Sequence, residues 1–262
     1  MTIVVKIGGH ALDDLRASST VLVDLALDVR GLHDAGERVV LVHGGGPQIA
    51  DLLARVGLES RFVDGLRVTD DATMRVVAMA LAEVNLRIVA AFNQAGLATV
   101  GLNGADASLF RASSLGEPWG RAAGAPSVHV ESVAALLAAG LVPVVSSVAL
   151  DEAGDLLNCN ADSAAGALAR ALDADRLVLL SDVDQIRADV ADASSALASL
   201  TYEQLHALVD SGAARDGMRP KAQAALAALD GGARVVTLAN GARPHALAGA
   251  LRAEIPTTEV TQ

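Results

Sequence analysis

Arg38-Val39-Val40-Leu41-Val42-His43-Gly44-Gly45-Gly46-Pro47 decides the architecture of this chain. The apolar run 39–42 has no polar alternation, so it reads as a strand buried on both faces. Three glycines follow, and Pro47 sits at the favoured first position of a helix predicted over residues 47–56. A buried strand feeding a helix through a tight turn is the unit of a parallel sheet. The same alternation continues along the chain: strands are predicted at residues 3–7, 38–42, 97–102, 141–146, 176–180 and 233–238. Helices are predicted at 11–35, 47–56, 70–95, 131–139, 162–172, 202–209, 217–229 and 244–251. The pattern is that of an α/β protein with a mostly parallel central sheet covered by helices on both faces. Residues 187–200, rich in Ala, Ser and Asp, form the most loop-like interior segment.

Composition narrows the function. The 262 residues carry 20 Lys+Arg against 31 Asp+Glu, a formal charge of -11. That balance, without a basic cluster, argues against nucleic acid or an anionic membrane as partner. Aromatic residues at 2% offer no platform for stacking bases. A single cysteine, Cys159, rules out an internal disulfide and a cysteine-rich zinc site, and suits a reducing cytoplasm. The charge-free stretch 132–150 is broken by Gly140 and Pro143, and reads as a helix end feeding a buried strand rather than a membrane span. Only two of the basic residues are lysines, Lys6 and Lys221. Codon drift toward arginine explains the shortage; a need for a compact ammonium at those two positions would explain which lysines remain.

Five segments carry chemistry. Val4-Val5-Lys6-Ile7-Gly8-Gly9-His10 delivers a cation and bare backbone N–H groups together at a strand end, although the lysine precedes the glycines and no Walker A spacing is present. His43-Gly44-Gly45-Gly46-Pro47 leaves free N–H groups at a helix N-terminus, a site for phosphate or carboxylate. Gly65-Leu66-Arg67-Val68-Thr69 places an arginine before a helix capped by Thr69-Asp70-Asp71; by itself it reads as a solvated surface residue, although it could grip a carboxylate. Asn158-Cys159-Asn160-Ala161-Asp162 points two amides to one face of an extended segment, with Asp162 as a candidate helix cap. Leu180-Ser181-Asp182-Val183 ends a strand, where nucleotides dock in open α/β sheets, and Gly217-Met218-Arg219-Pro220-Lys221 opens a helix. A lysine in that first turn opposes the helix dipole and suggests a phosphate counter-ion.

The motifs K-x-G-G, H-G-G-G, G-L-R-V-T, N-x-N-A-D and G-M-x-P-K occur in the order and at the spacing of the amino acid kinase family, which the chain resembles from Lys6 to about Leu251. The likeness is strongest to members that phosphorylate N-acetyl-L-glutamate. It implies an open αβα sandwich forming one domain over residues 1–262, with an amino-acid lobe at 1–175 and an ATP lobe at 176–262. It also implies that Lys6 and Lys221 stabilise the transferred phosphoryl group and that Asp162 orients both lysines. Gly8 and Gly9 would contact phosphate. Gly44, Gly45, Arg67, Asn158 and Asn160 would hold the substrate, with Arg67 and Asn158 on its α-carboxylate. Ser181, Asp182, Val183, Ile186, Ala213, Arg215, Gly217 and Met218 would hold the nucleotide.

ATP is the implied phosphoryl donor, with Mg2+ carried mainly by its phosphates and no metal site of the protein's own. No histidine base is needed, because the accepting carboxylate ionises far below pH 7; His43 therefore takes a supporting role.

Departures from the family pattern are His10, Asn103 and Gln185, the last replacing a glycine. Five residues precede Lys6, so the resemblance to members lacking an N-terminal helix implies insensitivity to arginine. A homodimer is expected through the long helix 70–95, where Met74, Val77, Leu81, Val84 and Ile88 form an apolar stripe; the same stripe could instead cover the sheet. Two other readings stay open: a kinase for glutamate or aminoadipate attached to a carrier protein, and a non-catalytic amino-acid sensor.

Overall fold

The computed structural model describes the chain apart from residues 9–11, 13, 15, 17, 190, 213–217, 231–232 and the side chain of Pro220. The main-sheet strands are β1 (Thr2–Ile7), β2 (Arg38–His43), β3 (Thr99–Asn103), β4 (Val142–Ser146), β5 (Arg176–Ser181), β6 (Ser199–Thr201), β7 (Val235–Asn240) and β8 (Thr257–Thr261). The helices are α1 (Thr20–Asp34), α2 (Gly46–Arg55), α3 (Asp71–Gln94), α4 (Glu131–Ala138), α5 (Ala161–Ala171), α6 (Tyr202–Asp210), α7 (Met218–Asp230) and α8 (Ala246–Leu251). The sheet order is β6-β8-β7-β5-β1-β2-β4-β3. From β7 to β3 all neighbours are parallel, and β8 runs antiparallel to β7.

Side chains alternate across this sheet and build two cores. Val4, Val40, Leu177 and Leu179 face α5 and α7. Ile3, Val5, Leu41 and Val178 face α1, α3 and α8. Burying such residues on both faces, at about 1.5–3 kcal/mol each, is why these strands lack polar alternation. The predicted αβα sandwich is therefore the observed one.

Small residues set one critical spacing. A Cβ on Gly166 of α5 would stand 2.6 Å from Ala228 Cα of α7. Backbones in such close contact fix the relative position of the side chains that α5 and α7 present at their N-terminal ends, among them Asp162 and Lys221.

Several expectations change. The helix predicted from residue 11 starts at Thr20, with Ser19 as its N-cap. The bond from Arg16 N–H to the Asp14 carboxylate offers the preceding chain a non-helical alternative. Residues 187–200 are not one loop: Ile186–Arg187 pairs with Ala196–Leu197, and β6 joins the sheet edge. A second, six-stranded sheet between residues 110 and 159 carried no sequence signal, because its strands are two to four residues long.

The apolar stripe on α3 is not available to a second copy. Met74, Val77, Leu81, Val84 and Ile88 are all buried within the chain, while Met79 and Leu86 face outward. By length and composition α3 could cross a membrane, but its apolar side is committed to α2 and the sheet.

On the face opposite α5, an ion pair joins α1 to α8. His245 Nδ1 lies 2.8 Å from Asp28 Oδ1, and Asp28 Oδ2 accepts the Ala248 N–H at 3.0 Å. The Asp28 carboxylate raises the His245 pKa, with Asp24 adding to the effect. A raised folded-state value means that the stabilisation is complete below the ordinary histidine value of about 6.5 and fades as pH rises through the raised one. His245→Ala should therefore lower the melting temperature more at pH 6 than at pH 9. Equal losses at the two pH values would exclude a contribution from the charge.

Candidate active site

Each parallel strand of the sheet ends on the same edge, and the polar residues gather there. A cleft of about 300 Å3 opens at the ends of β1 and β2, lined among others by Lys6, Gly8, Gly44, Gly45, Arg67, Asn158, Asn160 and Asp162. A smaller cavity of about 90 Å3 lies toward β5 and is lined by Lys6, Asp162, Ser181, Asp182 and Lys221. Lys6 and Asp162 line both, so they mark the junction.

Lys6 leaves β1 and folds back over Gly8; a Cβ on Gly8 would stand 2.2 Å from Lys6 Nζ. Its ammonium meets Asp162 Oδ1 at 2.9 Å, and both side chains are mostly shielded from solvent. Asp162 is not the helix cap. Asn160 is: its Oδ1 accepts the N–H groups of Asp162 at 2.8 Å and Ser163 at 3.2 Å. That leaves the Asp162 carboxylate for the lysine, and Asn160 lines the cleft. Lys221 pairs with Asp182 Oδ1 at 2.7 Å. Each lysine therefore has a carboxylate in direct contact, and Asp162 and Lys221 line the same small cavity.

Arg67 is held on three sides. Its guanidinium donates to Ser60 Oγ and, at 3.1 Å, to Gly46 O, and its Cζ lies 4.7 Å from the centre of the Phe62 ring. Burial lowers its pKa. The tight Asp64-Gly65 turn between Phe62–Val63 and Leu66–Arg67 delivers it, with φ of 49° at Asp64 and 79° at Gly65. That Asp-Gly hairpin signal was legible but unread in the sequence, and with it the roles of Ser60 and Phe62. Asn158 Nδ2 donates to Thr69 Oγ1 at 3.0 Å, and Thr69 Oγ1 donates to Arg67 O at 2.9 Å. The amide and the arginine are thereby held in one network beside the cleft.

Arg67→Lys tests the fork. A lysine cannot keep the Ser60 and Gly46 contacts, stack on Phe62 and also present paired donors. Charged hydrogen bonds contribute about 1.5–3 kcal/mol, so the KM of a carboxylate substrate should rise about 10- to 100-fold while the KM of the nucleotide stays put. An unchanged carboxylate KM would remove Arg67 from substrate binding.

On the β5 side, Ser181 Oγ accepts the Val183 N–H at 3.4 Å, and Ser181 O accepts that of Gly241 at 2.8 Å. Ile186 is fully buried and its N–H donates to Thr258 Oγ1, so it braces this region from beneath. Met218 is buried at the start of α7. Gln185 Nε2 donates to Thr257 O at 2.9 Å and ties the turn to β8. Sequence reasoning missed Asn240 and Arg243: Asp184, within the segment 182–186 that the resemblance assigns to the nucleotide, accepts from Arg243 Nε at 2.7 Å and Asn240 Nδ2 at 3.1 Å above the ends of β5 and β7. Gly9, His10, Ala213, Arg215 and Gly217 lie outside the described residues. Cys159 is buried and its thiol is pushed up to about 12, so it supplies no thiolate near pH 7.

Residues 1–240 match the profile of the Amino acid kinase family. The chain belongs to that family. Among curated relatives, the acetylglutamate kinase of Desulfitobacterium hafniense is 41% identical over 259 residues, covering 94% of this chain and 86% of the relative. The acetylglutamate kinase of Synechocystis sp. is 42% identical over 248 residues, with 94% and 82% covered. Among solved structures, smu.665 from Streptococcus mutans UA159 superposes with a TM-score of 0.80 at 28% identity, covering 91% of this chain and 94% of that one. Carbamate kinase from Giardia lamblia bound to AMP-PNP shares the fold, with a TM-score of 0.70 at 17% identity over 100% of this chain and 98% of its own.

Proposed function

We propose that the protein transfers the γ-phosphoryl group of ATP to the γ-carboxylate of N-acetyl-L-glutamate, giving N-acetyl-L-glutamyl 5-phosphate for arginine biosynthesis. The observation that carries this reading is the pair of cavities meeting at Lys6 and Asp162: one also lined by Arg67 and Asn158, the other by Lys221 and Asp182. Relatives named acetylglutamate kinase, at about 41% identity over nearly the whole chain, support the choice of substrate.

In this reading Arg67 and Asn158 hold the α-carboxylate, and Gly44, Gly45 and Asn160 line the rest of the substrate. A γ-carboxylate oxygen forms a bond to the γ-phosphorus, the bond to the β-γ bridging oxygen breaks, and ADP leaves. The nucleophile is already ionised near neutral pH, since a glutamate-type carboxyl group ordinarily titrates at about 4.3. The barrier therefore comes from bringing two anions together, and catalysis consists of positioning and charge neutralisation. Lys6 and Lys221 supply the positive charge, each held by its own carboxylate. Gly9 is assigned to the phosphoryl group, while Gly8, whose N–H donates to Leu180 O, leaves room for Lys6; Ser181, Asp182, Val183, Ala213, Arg215, Gly217 and Met218 are assigned to the nucleotide, with Ile186 beneath them.

Among the described residues no cluster of three His, Cys, Asp or Glu could hold a metal ion. In this reading Mg2+ would be held mainly by the nucleotide phosphates, whose charge it would screen. Residues 1–175 act as the amino-acid lobe and 176–262 as the ATP lobe of one cytoplasmic enzyme. The subunits pair as a homodimer through the outward side of α3, around Met79 and Leu86, with the open edge of β3 beside it. A free substrate is favoured over a carrier-linked one, because Arg121, one candidate for docking an acidic carrier, is engaged by Asp71 and Asp155. A coupled assay of ADP release with N-acetylglutamate, N-acetylaspartate and carrier-linked glutamate decides: turnover confined to the carrier-linked substrate would overturn the reading.

A further inference from the structure

His43 closes β2 and is wholly buried, so each of its ring nitrogens needs a partner inside the protein. One is the side chain of Asn85, on the buried face of α3. The Asn85 amide nitrogen lies 2.9 Å from Val144 O, 3.2 Å from Leu102 O and 3.0 Å from His43 Nε2. Backbone carbonyls only accept, so the group turned toward them is the NH2 and not the amide oxygen. The oxygen turns toward Gly101, where a Cβ would stand 2.0 Å from it; glycine leaves room for the amide. The NH2 has two protons for three neighbours and so shares one, and an amide nitrogen does not accept; the facing His43 Nε2 therefore carries a lone pair and the ring proton sits on Nδ1. Nδ1–H then donates to Gly44 O at 2.9 Å. Burial pushes the histidine down to about 4, so the ring holds this single proton near pH 7.

The consequence reaches the cleft through one peptide unit. In a planar trans peptide, C=O and N–H point to opposite sides. Holding the Gly44 carbonyl toward His43 turns the Gly45 N–H away from it, and Gly45 lines the cleft. Among the described residues no protein acceptor takes that N–H. Three consecutive glycines leave the peptide free to turn unless something outside the loop holds it.

We propose that His43 and Asn85 are positioning residues: the Asn85 amide selects the Nδ1–H tautomer of His43, and that tautomer holds the Gly44–Gly45 peptide with its N–H aimed at the substrate or the transferred phosphoryl group. Neither side chain touches the reacting atoms. The inference rests on the functional reading above and names the device that sets its oxyanion-type donor.

Nitrogen-15 spectra of histidine-labelled protein test it, with His43 assigned among the six histidines by difference against His43→Asn. The wild type is expected to show a protonated Nδ1 and an acceptor Nε2, unchanged between pH 6 and 8. Asn85→Leu removes the donor that faces Nε2, so nothing on that side selects the Nδ1–H form and the proton can move to Nε2. The Nδ1 lone pair then repels Gly44 O, and kcat should fall about 100-fold, as misplaced groups of this kind do, with the KM of ATP nearly constant. A wild-type His43 protonated on Nε2 overturns the proposal even if the variant does not fold. So does an Asn85→Leu enzyme that changes tautomer and keeps its kcat. Wild-type protein with the expected tautomer but no turnover on any tested carboxylate supports the hydrogen-bond arrangement and overturns the functional reading instead.

Discussion

Lys221→Arg is expected to bind ATP within a few-fold of the wild type and to turn over about a thousandfold more slowly. The position is confined: Lys221 Nζ sits 2.7 Å from Asp182 in a cavity of about 90 Å3 that it shares with Lys6 and Asp162. A guanidinium there carries the same charge but spreads it over a larger plane and cannot place it at one point on a phosphoryl oxygen. Charge in general would still attract the nucleotide, which is why binding and turnover should separate. Isothermal titration with a non-hydrolysable nucleotide, beside a turnover assay, reads both quantities. Unchanged turnover would remove Lys221 from the mechanism; binding without turnover in the wild type as well would make the protein a sensor.

Gly8→Ala is expected to cost about 100-fold or more in kcat with little change in melting temperature. Gly8 is anchored to β5 by its N–H, which donates to Leu180 O at 3.2 Å. Its backbone cannot easily retreat, and the new Cβ would stand 2.2 Å from Lys6 Nζ and 2.9 Å from Lys6 Cε. The flexible lysine must yield, moving its ammonium away from the junction and from Asp162. Since the strain falls on a side chain at the cleft and not on the core, folding should survive. A Gly8→Ala enzyme with wild-type kcat would show that the observed Lys6 conformation is not the one that works.

These two positions also show how far the sequence could be read. The sheet was legible because its strands are buried on both faces: Val39, Val40, Leu41 and Val42 have no solvent side to mark with a polar residue. The polar cleft was legible because Lys6, the 44–46 glycines, Arg67, Asn158 and Asp162 are residue types that a core would not keep at strand ends. Their partners were not legible. The pairs Lys6–Asp162 and Lys221–Asp182 join segments far apart in the chain, which no local pattern can match. Asn160 took the capping role expected of Asp162, a shift of two residues that periodicity cannot resolve. The apolar stripe of α3 fitted either a partner or the sheet, and only three-dimensional burial separated the two. The short strands between residues 110 and 159 lack the length over which any period can be counted.

In the proposed reaction the γ-carboxylate of a substrate whose α-carboxylate is held by Arg67 accepts the γ-phosphoryl group of ATP between Lys6 and Lys221. Trapping the product with hydroxylamine tests this directly, because an acyl phosphate yields a hydroxamate and a phosphate ester does not. With purified protein, ATP, Mg2+ and N-acetyl-L-glutamate, one hydroxamate should form per ADP released, and the Lys6→Met protein should give no product. ADP release without hydroxamate, or hydroxamate formation undiminished in Lys6→Met, would contradict the proposed chemistry.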